Sequence, residues 1–367
     1  MKILITGSEG FIAKNLISHL CQFEAEVILF NRKSSFNEIK KIIKEIDFIF
    51  HFAGVNRPTD KSDFTKINVG FTQKLINLIT SEYLKIPILF TSSTQVTEDN
   101  KYGVSKLNCE IILKEYYKNT KSPVYIFRLP NIFGKWSKPN YNSVVATFCF
   151  NVINDLPITI DDPQKKLKLL YIDDLISQFL GIFIKLPKGF KNIELKKIYK
   201  CDLNKLATII KSFKNERNNN SINFVGKGFI RALYSTYISF YSFNMFSYSL
   251  KEHKDNRGKF IEFLKTKNSG QISFFTLLPG LTRGNHYHHT KNEKFLVVQG
   301  LAKFKFRHIN TDKKFEKDIN SETNQVVETI PGWSHNITNI GNEILLVILW
   351  SNEIFDIKNP DTYYKKV

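Results

Sequence analysis

Residues 2–5 form a short apolar run closed by Thr6-Gly7-Ser8-Glu9-Gly10, and beyond it Leu16, Ile17 and Leu20 recur at helical spacing. The pattern predicts strand, glycine turn, helix. Similar apolar runs follow at Ala25–Phe30, Asp47–Ala53, Ile86–Phe90 and Val124–Phe127, with a helical segment carrying Asn68, Leu75, Leu78 and Ile79. Strands alternating with helices predict a doubly wound parallel sheet. Around residues 185–228 Lys and Asn become frequent, a helical patch spans Leu203–Phe213, and the polar run Asn215–Ser221 reads as a loop. Leu233–Tyr248 is crowded with Tyr, Phe and Ser and reads as packing cover for the first domain. From Phe260 the period changes. Short apolar stretches at Ile272–Leu278, Lys294–Val298, Ala302–Phe306, Gln325–Ile330 and Glu343–Trp350 are separated by Gly, Pro and Asn, with no helical pattern between them. They predict an all-β sandwich or jelly roll. Two domains are expected, residues 1–246 and 247–367.

The length of 367 residues lets each domain bury its own core. A net charge of +19 would suit an anionic partner, but the Lys residues are scattered and no Arg-rich arm occurs, so no dedicated nucleic-acid surface is expected. Cys21, Cys109, Cys149 and Cys201 form no Cys-x-x-Cys pair and avoid the His-rich tail, which fits a reducing cytosol. Met1 leads directly into the first predicted strand, leaving no room for a signal peptide, and apolar segments such as Leu175–Ile184 are too short to span a bilayer. A cytoplasmic protein without membrane insertion is the expectation.

The candidate chemistry lies in three places. Gly7 and Gly10 would let a pyrophosphate approach the backbone, with the helix start at Phe11 and Ile12 offering unpaired N–H groups, and Ala53 would let a cofactor lie against the strand end. After the second strand, Arg32 stands where an NAD-selective site would carry an acid, so it can pair with the 2′-phosphate of NADPH or simply face solvent. His51 reads as a packed strand-end residue. Second, Tyr102 and Lys106 share a helix face one turn apart, where an ammonium would lower the pKa of a phenol, and Ser93 at a strand end could hold the reacting oxygen. Third, His286 and His288 alternate along an extended chain and so face one side, where Glu293 and His335 can converge from neighbouring strands. Three imidazoles and a carboxylate suit Zn²⁺, with Fe²⁺, Mn²⁺ and Ni²⁺ also open. A metal-free barrel whose histidines bind sugar stays open beside it. His289 reads as a neighbour rather than a ligand.

Gly7-x-x-Gly10-x-x-Ala13, Ser93, Tyr102-x-x-x-Lys106, Arg128-x-x-Asn131 and Tyr171-Ile172-Asp173-Asp174 resemble the extended short-chain dehydrogenase/reductase family over about residues 1–245. The resemblance implies a Rossmann-like fold, with Arg128 and Asn131 added to the cofactor-binding residues and Ser93, Tyr102 and Lys106 as catalytic residues. Ala13 replaces the usual third Gly, and Thr94-Gln95 stands where sugar-nucleotide dehydratases carry an acidic pair, so dehydration is not expected. Gly280, His286-x-His288, Glu293 and Gly300, followed by Pro331-Gly332, His335 and Asn339, resemble the cupin superfamily, although Pro331 sits one residue closer to the glycine than usual.

The union of both domains, with Gly54-Val55-Asn56-Arg57-Pro58, Phe133-Gly134-Lys135-Trp136 and Lys138-Pro139-Asn140-Tyr141-Asn142-Ser143, resembles the bifunctional capsular polysaccharide synthesis enzymes of the CapF type. That resemblance implies C3 epimerisation of a UDP-4-keto-6-deoxy-HexNAc by the cupin domain. It further implies NADPH reduction of the C4 ketone to UDP-2-acetamido-2,6-dideoxy-L-talose, on the route to UDP-L-FucNAc, by a homodimer. A reductase or epimerase carrying a non-catalytic cupin for sugar binding or dimerisation is the alternative.

Overall fold

The computed structural model describes residues 1–58, 60 and 62–367, and the chain divides into two compact units. The first comprises residues 1–210 and 227–240, the second residues 211–226 and 241–367.

In the first unit, β1 (Lys2–Thr6), β2 (Glu26–Phe30), β3 (Phe48–His51), β4 (Ile88–Ser93) and β5 (Val124–Leu129) run parallel in the order β2-β1-β3-β4-β5, and Phe190–Asn192 extends the sheet beside β5. The chain therefore winds outward in both directions from β1, which opens a crevice at the carboxyl ends of β1 and β3. Side chains alternate across the sheet, and both faces are covered. Ile49, Ile88 and Ile126 pack with Leu75, Ile79 and Leu113 on one side. On the other, Phe48 and Phe50 meet Phe183 at ring separations of 5.2 and 5.7 Å, and Phe127 meets Phe179 at 4.7 Å. Helix Ile172–Lys185 can supply those rings because Leu175, Ile176, Phe179 and Phe183 fall on one face. Burial on both faces explains why these strands read as continuous apolar runs.

The second unit is almost all β. One sheet orders Ser221–Ile222, Gly258–Thr266, Gly270–Leu277, Leu345–Ser351, Glu293–Gln299 and Val326–Glu328, with Glu252–Asp255 pairing Gly258–Thr266. The other orders Lys314–Asn320, Leu301–His308, Trp333–Asn339, Thr282–Tyr287 and Tyr363–Tyr364. Phe275, Leu277, Phe295, Val297, Phe304, Ile337 and Val347 form the core. This is the parallel sheet plus antiparallel sandwich that the pattern predicts.

The polar run 215–221 departs from expectation, because helix Leu203–Asn218 continues into it. Glu216 lies one turn beyond buried Phe213 on the same face, and its carboxylate is held by Asn223. Residues 211–226 also cluster with the second unit, where Ser221–Ile222 pairs with Lys265–Thr266. All four cysteines are free, and no described helix is long and apolar enough to cross a membrane.

His51 is fully buried, with Nδ1 2.8 Å from Thr6 Oγ1 and Nε2 2.9 Å from Thr72 Oγ1. Burial, reinforced by the charge on Lys106, pushes its pKa down from 6.5 to about 3. The unfolded chain therefore takes up this proton first, so the stability tied to neutral His51 is complete above pH 6.5 and is lost as pH falls toward 3. Urea midpoints measured across that window should fall less steeply in His51→Gln than in wild type; parallel pH profiles would contradict this assignment.

Candidate active site and metal centre

The crevice at the end of β1 is a cavity of about 630 Å³ lined by Gly7, Gly10, Arg32, Ala53 and Gly54 among others. Gly7 has φ +69°, and a Cβ there would stand 2.8 Å from the Ala53 amide nitrogen, so only glycine lets the turn lie against the end of β3. Gly10 is the N-cap of helix Phe11–Leu20, and no side chain caps it. The amides of Phe11 and Ile12 thus open the helix as donors for a phosphate. Arg32 lines the cavity with Lys66 and Lys74, and Glu9 is the only carboxylate among the described lining residues.

Ser93, Tyr102 and Lys106 are brought together by the turn after β4. Ser93 ends the strand, Asn100 caps helix Lys101–Thr120 by accepting from the Gly103 amide at 2.8 Å, and Tyr102 and Lys106 follow on the first turns. A Cβ on Gly103 would stand 2.0 Å from the Gln95 carbonyl oxygen. That glycine lets the helix sit tightly on the turn, where Ser93 favours ionisation of the Tyr102 phenol.

Lys106 is anchored on the backbone of β4. Its Nζ donates to the Thr91 carbonyl at 2.9 Å, and burial pushes the Tyr102 phenol up, only partly offset by Ser93. The ammonium itself is fully buried and its pKa is lowered by desolvation. Lys106 Nζ lies 3.3 Å from where a Cβ on Gly54 would stand, which puts the trio at the Gly54 end of the cofactor cavity.

Asn68 is the residue that spacing alone overlooked. It is buried, accepts from the Val55 amide at 2.8 Å, and donates to the Val55 carbonyl at 3.1 Å and to Ser105 Oγ at 3.0 Å, tying the loop after β3 to the Tyr102 helix. A buried amide on an otherwise apolar helix face was the available signal. Arg128 and Asn131 do not line the cavity. Arg128 instead forms a two-pronged ion pair with Glu110, at 3.0 and 2.6 Å, and Asn131 is exposed.

In the second unit, His286 and His335 face each other across paired strands. A bulge at Asn285, with φ +65°, shifts the register so that His286 rather than Asn285 opposes His335. Glu293 enters from the other sheet, and His288 stands on the link between the sheets. The four residues offer ligand atoms all within 4.8 Å of one another.

His288 Nδ1 lies 2.6 Å from the Asp361 carbonyl oxygen, which can only accept, so Nδ1 carries a proton and Nε2 is turned toward Glu293. That Nε2 is 3.2 Å from Glu293 Oε2. His335 Nδ1 likewise faces the Trp333 carbonyl at 3.4 Å, and its buried Nε2 sits 3.2 Å from the same carboxylate oxygen without satisfactory hydrogen-bond geometry. Three imidazoles gathered on one buried carboxylate form a donor set that fits a divalent metal. Burial opposes the Glu293 charge, but His288 and His335 outweigh it and hold the carboxyl well below its usual range; burial and His335 push His286 down to about 4. The ligand set opens on a cavity of about 510 Å³ that Arg257, Arg283, Phe275 and Phe355 also line.

Residues 3–193 match the NAD dependent epimerase/dehydratase family, and residues 253–363 match the polysaccharide biosynthesis C-terminal domain. The chain is 47% identical to the UDP-2-acetamido-2,6-beta-L-arabino-hexul-4-ose reductase of Pseudomonas aeruginosa, covering 99% of this chain and 98% of that protein. CapF of Staphylococcus aureus, a capsular polysaccharide assembling protein, superposes with a TM-score of 0.92 over 100% of both chains at 39% identity. The chain belongs to the CapF family. Membership carries with it oxidoreductase chemistry and a nicotinamide dinucleotide cofactor in the first unit. The fold of that unit extends further, to the UDP-glucuronic acid 4-epimerase of Bacillus cereus, with a TM-score of 0.52 at 20% identity over 59% of this chain and 84% of that one.

Proposed function

We propose that this chain is a bifunctional UDP-sugar enzyme. The second unit epimerises C3 of a UDP-4-keto-6-deoxy-HexNAc, and the first reduces the C4 ketone with NADPH to UDP-2-acetamido-2,6-dideoxy-L-talose, on the route to UDP-L-FucNAc. The observation that carries the reductase half is half-buried Tyr102 with buried Ser93 and Lys106, at the end of a cavity whose walls suit a dinucleotide. The near full-length likeness to a named hexul-4-ose reductase supports the substrate class.

Gly7, Gly10, Phe11 and Ile12 present backbone to the pyrophosphate, and Arg32, with Lys66 and Lys74 on the same wall, favours the extra phosphate of NADPH over NADH. Bound there, the reduced nicotinamide supplies the hydride that becomes the C4–H bond. Tyr102 gives its proton to the C4 oxygen as the alcohol forms. The raised pKa of the phenol suits that role, because Tyr102 stays protonated at neutral pH until the oxygen becomes basic. Ser93 hydrogen-bonds the same oxygen, and the Lys106 charge stabilises the phenolate until solvent returns the proton.

His286, His288, Glu293 and His335 would hold the metal, Zn²⁺ in our reading. When bound it would polarise the ketone oxygen as a Lewis acid or brace the ligand set. The C3–H is acidic because the C4 carbonyl next to it can delocalise the carbanion as an enolate. Free cysteines and the lack of a described membrane-spanning helix agree with work in the cytoplasm, where nucleotide sugars and NADPH are available.

A homodimer is supported by the outer face of the larger sheet in the second unit. Strand register places Phe274, Ile348 and Leu296 in one row, with Ile348 40% exposed. Sedimentation should show wild type as a dimer and Ile348→Asp shifted toward monomer; a wild type that is monomeric at micromolar concentration would dismiss the idea.

In full-length Tyr102→Phe, NADPH oxidation with the 4-keto sugar should fall by about 10²-fold or more, while exchange of the C3 hydrogen with deuterated water continues. Oxidation at the wild-type rate would refute the role of Tyr102. Loss of both activities together would refute the division of labour between the two units.

A further inference from the structure

We infer that Asp361 is a positioning residue for the metal centre: it ties down the loop after His288 and fixes that histidine so that Nε2 points at Glu293. The inference rests on the metal reading above and adds a residue that touches no metal ligand atom.

Asp361 lies on a segment that folds back against the sandwich. Two residues on, Tyr363 and Tyr364 pair with Tyr287 and His286, so the same stretch braces the strand that carries the first ligand. The Asp361 carboxylate accepts from three consecutive backbone amides, those of His289 at 3.0 Å, Thr290 at 2.9 Å and Lys291 at 2.8 Å, and from the Thr290 hydroxyl at 3.0 Å. A nest of three amides around one carboxylate leaves the loop little freedom.

The flanking residues complete the clamp. Lys291 is buried although charged, and its Nζ donates to the Pro360 carbonyl at 2.7 Å and to Thr362 Oγ1 at 3.1 Å. The loop is thus gripped by Asp361 through its backbone and by Pro360 and Thr362 through the Lys291 side chain. Between these contacts the Asp361 carbonyl takes the His288 Nδ1 proton at 2.6 Å. An imidazole whose far nitrogen donates to a fixed carbonyl is set in both tautomer and ring orientation, which raises the basicity of the ligating nitrogen. Glu293 begins its strand two residues after Lys291, so a slack loop would disturb two of the four ligand positions at once.

The test uses full-length wild type, Asp361→Ala and Asp361→Asn, each loaded with Zn²⁺ and titrated with a competing chromophoric chelator. Circular dichroism and thermal melting of the metal-free proteins are recorded alongside. The apparent Zn²⁺ Kd should rise about tenfold or more in Asp361→Ala. It should rise less in Asp361→Asn, whose amide oxygen still accepts from part of the nest, with metal-free circular dichroism unchanged in both. If Asp361→Ala does not fold, Asp361→Asn decides. An affinity within about twofold of wild type overturns the inference, because second-sphere losses exceed that, and a larger rise supports it. A lowered metal-free melting temperature with unaltered Zn²⁺ affinity would make Asp361 a fold residue only and would likewise overturn it. Wild type that binds no Zn²⁺ would overturn the metal reading along with it, whereas wild-type affinity in the variants overturns this inference alone.

Discussion

A carboxylate buried among three imidazoles is the constraint on which the second unit is built. Glu293 Oε2 stands 3.2 Å from Nε2 of both His288 and His335, and the far nitrogens of those rings face carbonyl oxygens. Ligand atoms of three imidazoles and one carboxylate within 4.8 Å of one another form a donor set that fits a divalent metal. Much of the surrounding structure serves to hold the opposition in place. The Asn285 bulge sets His286 against His335, Thr329 Oγ1 accepts the Glu293 amide at 2.9 Å, and the two sheets bring ligands from opposite sides of the sandwich.

The first unit is organised around a different close approach. Gly7 and Gly103 each occupy a position where a Cβ would collide with backbone, and each brings a working group to its place: the phosphate turn against β3, and Tyr102 against Ser93. The charges that bear on chemistry are there withheld from solvent. Lys106 is buried against the Thr91 carbonyl and over the Phe90 ring at 4.8 Å, so its field reaches the phenol through a medium of low polarity. A protonated tyrosine backed by a buried cation is arranged for giving up a proton to a ketone oxygen, and the ketone that accepts it is also what makes the neighbouring C3–H acidic. That shared carbonyl is the chemical reason for joining two such units in one chain.

The parts of the molecule legible in the sequence are those governed by local period. Strands buried on both faces appear as Leu-Ile and Phe-Ile-Phe runs ended by glycine, and His286-x-His288 declares its facing by alternation alone. Glu293 and His335 are legible as candidates because they begin or occupy strands of the same sandwich. What local pattern could not carry was long-range pairing. The link from Asp361 to His288 spans 73 residues and depends on a backbone carbonyl, which no side-chain pattern records. The ion pair of Arg128 with Glu110, which lies on a different element, is likewise absent from local pattern. The helical spacing of Tyr102 and Lys106 is local, but the anchor of the Lys106 ammonium on the Thr91 carbonyl of β4 is not. The polar run after Asn215 read as a loop because its one buried acid, Glu216, finds its partner in Asn223 only after the chain has turned.

The proposed function places two chemical events on one sugar, proton exchange at C3 and reduction at C4. The most direct measurement supplies the full-length wild-type enzyme with UDP-4-keto-6-deoxy-HexNAc and NADPH in deuterated water and reads the product by NMR. The expected product is the talo alcohol with inverted C3 carrying solvent deuterium, with one NADPH oxidised for each product formed. A C4 alcohol that retains the substrate's C3 configuration and carries hydrogen there would contradict it, leaving a reductase with a metal-binding companion that performs no chemistry.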